Sequence, residues 1–527
     1  MNACVVGLLW VTLFPLYHSR DDVFVLYLSG GGFGKEPSAF LHFNHLMNPV
    51  LGLLLQKLFQ LAPSFNWYSL LLVFAQYICW TAFFYFMLKQ FKIRTAFLFY
   101  MLLVLIFGTV FLLSVNFTIT AAFCALTACS FYLSGYLEGK SWKIHLIPVA
   151  FLVAGSFFRM HALIPVLLVL SPFFIRYKSR QMNRALLRSF AIASAIILLF
   201  HLFHVQYYRT VSAEWQQEEK YRQELFKYVN QPRKLFTDKD SQLEARMMQQ
   251  MLFVDPEFLN TDVIREVRSR QLPTLKSRVQ NIRPSIYWLF MENRIYLCCI
   301  LILAFFILPG LKKGILLKFL FSVFVALGLI AGLSLFQKLP VYLFPLISIT
   351  LAYALVFVCT QADFLRNRNA VFLLSISFLF VWAAFRTARM NTVNLAIHQR
   401  FENIYKQFAQ HPEFIFYASG SDYPLEGFSA KSAPVDYPIT NVLFSGIFVH
   451  GEVRTILQKY RIPSVGDLWK DNRLLFWSDS SATNPSEFDL VFSAYCLRRW
   501  NLQVEFLPVQ QEGGVGSFRK LRTSIRP

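Results

Sequence analysis

The chain has 527 residues, of which 56% are hydrophobic, 17% aromatic and only 15% charged. Soluble globular chains carry about 25% charged residues, so this composition excludes an ordinary soluble enzyme, a collagen-like chain and a disordered chain. The net charge of +21 is confined to short connectors between apolar segments, which is typical of membrane orientation signals and excludes a nucleic-acid-binding stripe.

Apolar segments of roughly membrane-spanning length divide most of the chain. A helix needs about 20 apolar residues to cross the hydrocarbon core, where every backbone polar group must be bonded internally. We therefore predict an all-α polytopic membrane protein with about 11 transmembrane helices, from runs near residues 2–17, 65–88, 95–115, 117–137, 144–158, 162–177, 189–206, 294–310, 319–336, 341–360 and 370–388.

The connectors between these runs predict the orientation. Every second connector is rich in Lys and Arg, namely 89–94, 139–143, 176–188, 311–318 and 364–369. Because basic connectors stay in the cytoplasm, we expect a cytoplasmic N-terminus and exoplasmic stretches at 18–64, 207–293 and 391–527. We interpret the first run as an uncleaved helix, because no small-x-small cleavage site precedes Ser19.

The first exoplasmic loop, 18–64, carries the adjacent acidic residues Asp21 and Asp22. Negative charge is unfavourable beside anionic lipid, so this pair predicts a general base or a metal ligand. The alternative is a solvated helix end. Further along the loop, the apolar segment from Phe40 to Leu61 predicts interfacial helix rather than a span.

Two histidines of this loop, His42 and His45, are three residues apart on the predicted helix. With Asp21 or Asp22 they have the residue types of a metal site, so a divalent metal such as Mg or Mn is a candidate cofactor. The glycine-rich segment 29–35 lacks the Ser or Thr of a phosphate loop, and we interpret it as a turn or a substrate-facing loop.

Cationic residues stand at predicted outer helix ends. Arg159 lies in GSFFRMHALIP, two residues before His161, and Lys338 lies in FQKLP. Such donors can hold an anionic head group, and arginine can grip a phosphate with two hydrogen bonds. The alternative is that each side chain extends to the interface and only anchors its helix.

The two long polar stretches predict structure outside the membrane. Stretch 207–293 predicts amphipathic helices, and stretch 391–527 opens with a helix before alternating short β-rich and helical runs. Its end predicts a hairpin that turns at Gly513-Gly514. The predicted domains are a transmembrane domain, 1–390, and a small exoplasmic C-terminal α/β domain, 391–527.

Three segments carry a resemblance to a known family. An acidic pair after the first span and an outer loop of interfacial helices resemble the GT-C superfamily of polytopic membrane glycosyltransferases. The block 36–72, the segment NFTIT at 116–120 and Phe158-Arg159 are similar to recurrent blocks of bacterial proteins of this type. The resemblance implies a GT-C-like fold in the bacterial cytoplasmic membrane.

It also implies the activity: transfer of a sugar from a polyprenyl-phosphate donor to a glycan, lipid or protein acceptor on the exoplasmic face. Asp21 would be the base with Asp22 second, and Arg159 or Lys338 would hold the lipid phosphate. His161, His42 and His45 are further candidates for substrate binding. The partners would be these substrates and membrane lipid, with no nucleic acid.

Two other functions stay open. One is a carrier or flippase for a lipid-linked glycan, and the other is a non-enzymatic membrane protein of an envelope complex. A transporter ordinarily needs ionisable groups near the bilayer midplane, which these apolar runs mostly lack. The sequence therefore favours the transferase.

Overall fold

The structure is a computed structural model of the chain. It describes residues 2–39, 47–133, 142–174, 180–210, 213–230, 242–270, 278–279, 287, 290–291, 293–336, 342–359, 370–418, 423–444, 449–478, 487–509 and 517–525.

Within these residues, five helices are long and apolar enough to cross a membrane: Trp67–Gln90, Ile93–Leu113, Lys143–Phe174, Leu186–Tyr207 and Lys313–Leu335. Shorter apolar helices accompany them: Asn2–Thr12, Pro49–Leu61, Phe117–Leu133, Arg294–Ile307 and Leu343–Val358. The chain is a multi-pass integral membrane protein, as its composition predicts. The count of eleven spans stays a prediction.

The α-helices within the described residues are, in chain order, α1 (Asn2–Thr12), α2 (Arg20–Gly30), α3 (Pro49–Leu61), α4 (Trp67–Gln90), α5 (Ile93–Leu103), α6 (Thr109–Leu113), α7 (Phe117–Leu133), α8 (Leu146–Phe174), α9 (Arg180–Thr210), α10 (Ala213–Asn230), α11 (Leu243–Gln249), α12 (Thr261–Arg270), α13 (Arg294–Ile307), α14 (Lys313–Phe336), α15 (Leu343–Cys359), α16 (Ala370–Ala409), α17 (Val449–Tyr460), α18 (Val465–Leu468) and α19 (Glu487–Trp500). The strands are β1 (Leu16–Tyr17), β2 (Ser114–Val115), β3 (Ile415–Ala418), β4 (Val442–Phe444), β5 (Leu474–Ser478), β6 (Leu502–Val509) and β7 (Ser517–Ile525).

The two elements predicted at the start of the chain differ from the structure. The predicted span 2–17 is an 11-residue helix, α1, followed by strand β1. In the predicted interfacial segment, the described helix begins at Pro49, because the side chain of Asn48 caps it by accepting a hydrogen bond from the Val50 N–H at 3.0 Å. Residues 40–46 lie outside the described part.

A short parallel pairing brings two helix N-termini together. Strand β1 pairs with β2, with Leu16 opposite Ser114 and Tyr17 opposite Val115. The chain enters α2 within three residues of β1 and enters α7 within two residues of β2. The pairing therefore places the first turns of α2 and α7 side by side, although about a hundred residues separate them.

Helix α8 reverses direction at Arg159, whose backbone is extended (φ −165°, ψ 102°). Phe151 in its first limb and Phe174 in its second both contact aromatic rings at the same end of α7, those of Phe131 and Tyr132. At 1.5 Å per residue, a straight helix would separate positions 151 and 174 by roughly 34 Å. The two limbs thus form a helical hairpin rather than the single crossing helix that the length of Lys143–Phe174 alone suggests, which agrees with the predicted runs 144–158 and 162–177.

The last predicted span and the first helix of the tail are one continuous helix, α16. The reason is local: the sequence has no Gly or Pro between Ala370 and Ala409, and Pro412 follows the end of the helix. The predicted domain boundary at 390/391 falls inside this helix. α16 therefore links the apolar helices directly to the C-terminal domain.

The C-terminal part is an α/β domain around a five-stranded sheet of order β4-β3-β5-β7-β6. Strands β4, β3 and β5 are parallel, and β6 and β7 form an antiparallel hairpin with Leu502 opposite Ile525. The predicted hairpin is confirmed, and its turn at Gly513-Gly514 lies outside the described residues.

This domain packs against α2, the helix that carries the acidic pair. Arg20 pairs with Glu426, with Nε 2.8 Å from Oε2, and the Tyr27 hydroxyl donates to the Tyr437 carbonyl at 2.8 Å. The Ile439 N–H donates to the carbonyl of Gly32 at 2.8 Å. The C-terminal domain and the acidic pair therefore lie on the same side of the membrane.

Candidate active site

Asp22 is a fully buried carboxylate held by four hydrogen-bond donors. Its oxygens accept from the hydroxyls of Ser19 (2.7 Å) and Tyr68 (2.8 Å), the side-chain amide of Asn116 (2.9 Å) and the backbone N–H of Phe117 (3.1 Å). A carboxylate offers about four lone-pair positions, so these donors occupy all of them. Asp22 ties together the starts of α2, α4 and α7.

The two paired helix N-termini create this arrangement. Ser19 caps α2 by accepting from the Asp22 N–H at 3.4 Å. Asn116 caps α7, with its side-chain oxygen accepting from the N–H groups of Thr118 (2.7 Å) and Ile119 (3.1 Å). Both helix dipoles favour a negative charge where they meet, which is the position of Asp22.

Burial is the largest influence on the pKa of Asp22, and it raises that pKa. Removal from water raises the pKa of Asp22 to about 7, against the hydrogen bonds from Ser19, Tyr68 and Phe117, which lower it. The neighbouring charge of Asp21 adds to the rise. The four bonded donors leave no lone pair of Asp22 open to a substrate proton, so its geometry suits a structural clamp better than a proton acceptor.

Asp21 is the chemically available member of the pair. It is only partly buried, and among the described residues no hydrogen bond or ion pair engages its carboxylate. Burial raises the pKa of Asp21 above its ordinary value, and the positive charge of Arg159 opposes the rise. An unengaged carboxylate beside a cation can take a proton from a bound hydroxyl group.

Arg159 is held rigidly near Asp21. Its Nη1 donates to the Thr118 hydroxyl at 2.7 Å, and its guanidinium lies 5.3 Å from the ring centre of Phe117 and 4.9 Å from that of Tyr342. Burial raises the pKa of the Tyr342 hydroxyl, Arg159 lowers it, and Asp21 raises it. Asp21 and Arg159 therefore both act electrostatically on Tyr342.

The extended backbone of Arg159 explains its position. The side chain leaves the tip of the α8 hairpin rather than a helix face, so it reaches across to the start of α7. One Nη1 contact uses a single guanidinium donor among the five that arginine has. No other hydrogen bond within the described part of the chain engages this guanidinium, which supports phosphate binding over simple anchoring.

A cavity of about 120 Å³ lies beside Arg159. It is lined by Met47, Asn48, Ser156, Met160, His161, Ile197, Phe200, His201, His204 and Val205. The predicted residue His161 is exposed at its wall. The structure thus brings together Asp21, Asp22 and Arg159, with His161 at an adjoining cavity.

The other predicted site residues lie outside the described part of the chain: Lys338, His42 and His45. Among the residues that are described, no group of three or more His, Cys, Asp or Glu side chains is placed to hold a metal ion. Asp22 has no lone pair left for one. A metal site built with His42 and His45 stays a prediction.

Sequence reasoning missed four groups that shape the site: Tyr68, Asn116, Thr118 and Tyr342. A signal existed for two of them, because Asn116 and Thr118 belong to the NFT motif, which also matches a glycosylation acceptor. In the structure, the Asn116 side chain donates to Asp22, and the Thr118 hydroxyl accepts from Arg159. Tyr68 and Tyr342 had no distinguishing pattern.

No protein-family model and no curated protein matches the chain. The chain is similar to the crystal structure of ArnT from Cupriavidus metallidurans in the apo state, at 10% identity and a TM-score of 0.44, over 98% of this chain and 96% of that one. It is also similar to the same protein bound to undecaprenyl phosphate, at 11% identity and a TM-score of 0.42, over 98% and 97%. These are similarities of overall architecture at low TM-scores.

Proposed function

We propose that the chain is an integral membrane glycosyltransferase that moves a sugar from a polyprenyl-phosphate donor to a hydroxyl group on the exoplasmic face. The observation that carries this proposal is the pairing of Asp21, a carboxylate with no hydrogen bond among the described residues, with a preorganised guanidinium, Arg159. Arg159 stands at the tip of the apolar α8 hairpin and Asp21 at the start of α2, where the head group of a membrane-embedded donor would lie.

The reaction uses the two groups in complementary ways. The acceptor oxygen forms a bond to the anomeric carbon of the donor sugar, and Asp21 takes the proton of that hydroxyl. The bond between the anomeric carbon and the phosphate oxygen breaks, and its electron pair leaves with the polyprenyl phosphate. Arg159 stabilises the negative charge that builds on the departing phosphate.

A single displacement follows from the different environments of the two carboxylates. A retaining mechanism requires a carboxylate that is free to attack the anomeric carbon. Asp22 is enclosed by four donors and cannot attack without breaking that network. Asp21 acts as the base, so we expect inversion of configuration at the anomeric carbon.

The test is the rate of polyprenyl phosphate release from a panel of polyprenyl-phosphate sugars, with the protein in lipid nanodiscs and a cell-envelope extract as acceptor. Asp21→Asn keeps size and removes basicity, so release should fall about 100-fold or more. The matched control is Asp262→Asn, the same change at an exposed carboxylate of α12, which should leave the rate unchanged.

The carrier alternative makes the opposite prediction for the same variant. A carrier binds and moves a lipid-linked glycan without needing a base, so Asp21→Asn should not impair it. Full release activity in Asp21→Asn, at wild-type folding and expression, would remove the transferase assignment. Absence of release from the whole panel by the wild-type protein would remove it as well.

A further inference from the structure

The cavity beside Arg159 is assembled from three separate parts of the chain. The tip of the α8 hairpin supplies Ser156 and His161, the outer half of α9 supplies His201 and His204, and the residue before α3 supplies Asn48. A volume of about 120 Å³ is room for about four waters, whose share of liquid volume is about 30 Å³ each. The cavity would therefore enclose one edge of a monosaccharide, with the rest of the sugar ring at its opening.

The polar groups of this cavity match hydroxyl groups. A neutral imidazole has one donor and one acceptor nitrogen, a side-chain amide has both kinds of atom, and a serine hydroxyl also donates and accepts. Within the protein, Ser156 donates to the Val153 carbonyl at 2.7 Å, and Asn48 accepts from the Val50 N–H at 3.0 Å and donates to the Phe200 carbonyl at 3.4 Å. The serine oxygen can therefore still accept from a sugar hydroxyl, and the second N–H of the Asn48 amide can donate to one. The remaining walls are apolar: Met47, Met160, Ile197, Phe200 and Val205.

The charge of the cavity sets a second condition. None of the described residues that line the cavity is a carboxylate, and Arg159 acts electrostatically on His161. An ammonium group placed here would be desolvated without a counter-charge and would face a guanidinium. The cavity thus accommodates hydroxyl groups better than a protonated amino group.

Position connects the cavity to the proposed chemistry. Met160 and His161 directly follow Arg159 in the chain, and both line the cavity. Because Arg159 also acts electrostatically on His161, a phosphate gripped by Arg159 would carry its sugar near this cavity. The polyprenyl chain itself would stay among the apolar helices.

We propose that the cavity lined by His161, His201 and Asn48 is the subsite for the sugar of the donor, and that it selects an uncharged, hydroxyl-bearing sugar over an amino sugar. This inference rests on the proposed function, because it takes Arg159 as the phosphate contact. It names the class of sugar, which the catalytic pair alone does not.

The test compares two ligands on the same protein in nanodiscs: bare decaprenyl phosphate, and decaprenyl phosphate carrying glucose, mannose, galactose or glucosamine. The variants are His161→Ala and His201→Ala, both at exposed positions that do not support the core. The matched control is Leu202→Ala, an exposed neighbour on α9 that does not line the cavity.

Loss of one or two hydrogen bonds should weaken binding of the preferred sugar donor about tenfold in each histidine variant. Binding of bare decaprenyl phosphate should stay within about twofold of wild type, and wild type should bind a neutral-sugar donor better than the glucosamine donor. Equal losses for bare and sugar-bearing ligands, or no loss for either, would overturn the subsite. Wild-type protein that binds none of these ligands would instead overturn the proposed function itself.

Discussion

Asp21 and Asp22 are adjacent in sequence, yet the fold gives them opposite environments. Asp22 points into the junction of α2 and α7 and is fully bonded, while Asp21 faces Arg159 without a bonded partner among the described residues. Consecutive helical residues point about 100° apart, so one helix turn can serve both purposes. Asp22 is a buried structural group at the start of a helix rather than the solvated helix end of the alternative interpretation, and the catalytic interpretation suits Asp21.

The pH dependence of donor cleavage should report Asp21. The base must be deprotonated, so the rate rises with pH through the pKa of Asp21, which burial raises above its ordinary value. The positive charge of Arg159 lowers the pKa of Asp21, so removing that charge should raise this pKa. We therefore expect Arg159→Gln to shift the acidic limb of the pH–rate profile to higher pH as well as to lower the rate. The control Lys312→Gln, at an exposed basic connector, should leave the midpoint in place.

The pH at the midpoint of the acidic limb, rather than the maximal rate, identifies the group that titrates. The phosphodiester of the donor does not titrate in this range, so the limb belongs to the protein. A limb that stays at the same pH in Arg159→Gln would show that another group titrates.

Arg159 should not be replaceable by lysine. Its guanidinium donates to Thr118 while lying against two aromatic rings, and an ammonium cannot keep this contact and also grip a phosphate with two parallel bonds. We expect Arg159→Lys to bind decaprenyl phosphate about tenfold more weakly, in equilibrium binding measurements. Arg389→Lys, at an exposed arginine of α16, is the matched control, and equal affinity in both variants would leave Arg159 as an anchor.

At the scale of elements, local sequence patterns predicted the helices and strands of the C-terminal domain better than they predicted the contacts of the site. The strands at 415–418, 474–478 and 502–509 and the helix at 449–460 follow the predicted β-rich and helical runs. The predicted end of the Phe40–Leu61 segment at Leu61 was also correct, while residues 40–46 of that segment lie outside the described part of the chain. The partners of Asp22 could not be predicted, since Asn116 lies 94 residues away and no local pattern joins them.

Close packing of α7 against the α8 hairpin depends on Gly155. A Cβ atom there would lie 2.9 Å from the Ala121 carbonyl oxygen and 3.0 Å from the Cys124 Cβ. Gly155→Ala should therefore destabilise the protein by about 1–3 kcal/mol, the usual cost of overpacking. The measurement is the thermal unfolding midpoint of the detergent-solubilised protein, followed by tryptophan fluorescence.

Gly328 in α14 provides the comparison, because a Cβ atom there meets nothing within 4 Å. Gly328→Ala should be neutral or stabilising by up to about 1 kcal/mol, since alanine has the higher helix propensity. Equal unfolding midpoints for the two variants would contradict the close approach of α7 and α8.

At the scale of the whole molecule, long-range docking was beyond sequence reasoning. The segment between α11 and α12 packs on α19, where the Asp255 carboxylate accepts from the Tyr495 hydroxyl at 2.9 Å and from Arg499 Nε at 3.1 Å. The first of these contacts joins residues 240 positions apart. Composition identified both stretches as polar and extramembranous, but nothing in either indicated the other as its partner.

Membrane sidedness is the prediction on which the placement of the whole site depends. The C-terminal domain contacts α2 through Arg20 and Glu426, so Asp21 must share its side of the membrane. The basic connectors, including Lys312 in the connector before α14, should lie on the opposite, cytoplasmic side. A cysteine introduced at Lys312 or at Glu505, both exposed, tests this in a variant whose exposed Cys4 is changed to serine, with that variant alone as the background for labelling. A membrane-impermeant maleimide should label Glu505→Cys in intact spheroplasts and Lys312→Cys only after permeabilisation. The reverse pattern would move Asp21 and Arg159 to the cytoplasmic face, where an exoplasmic transfer reaction could not occur.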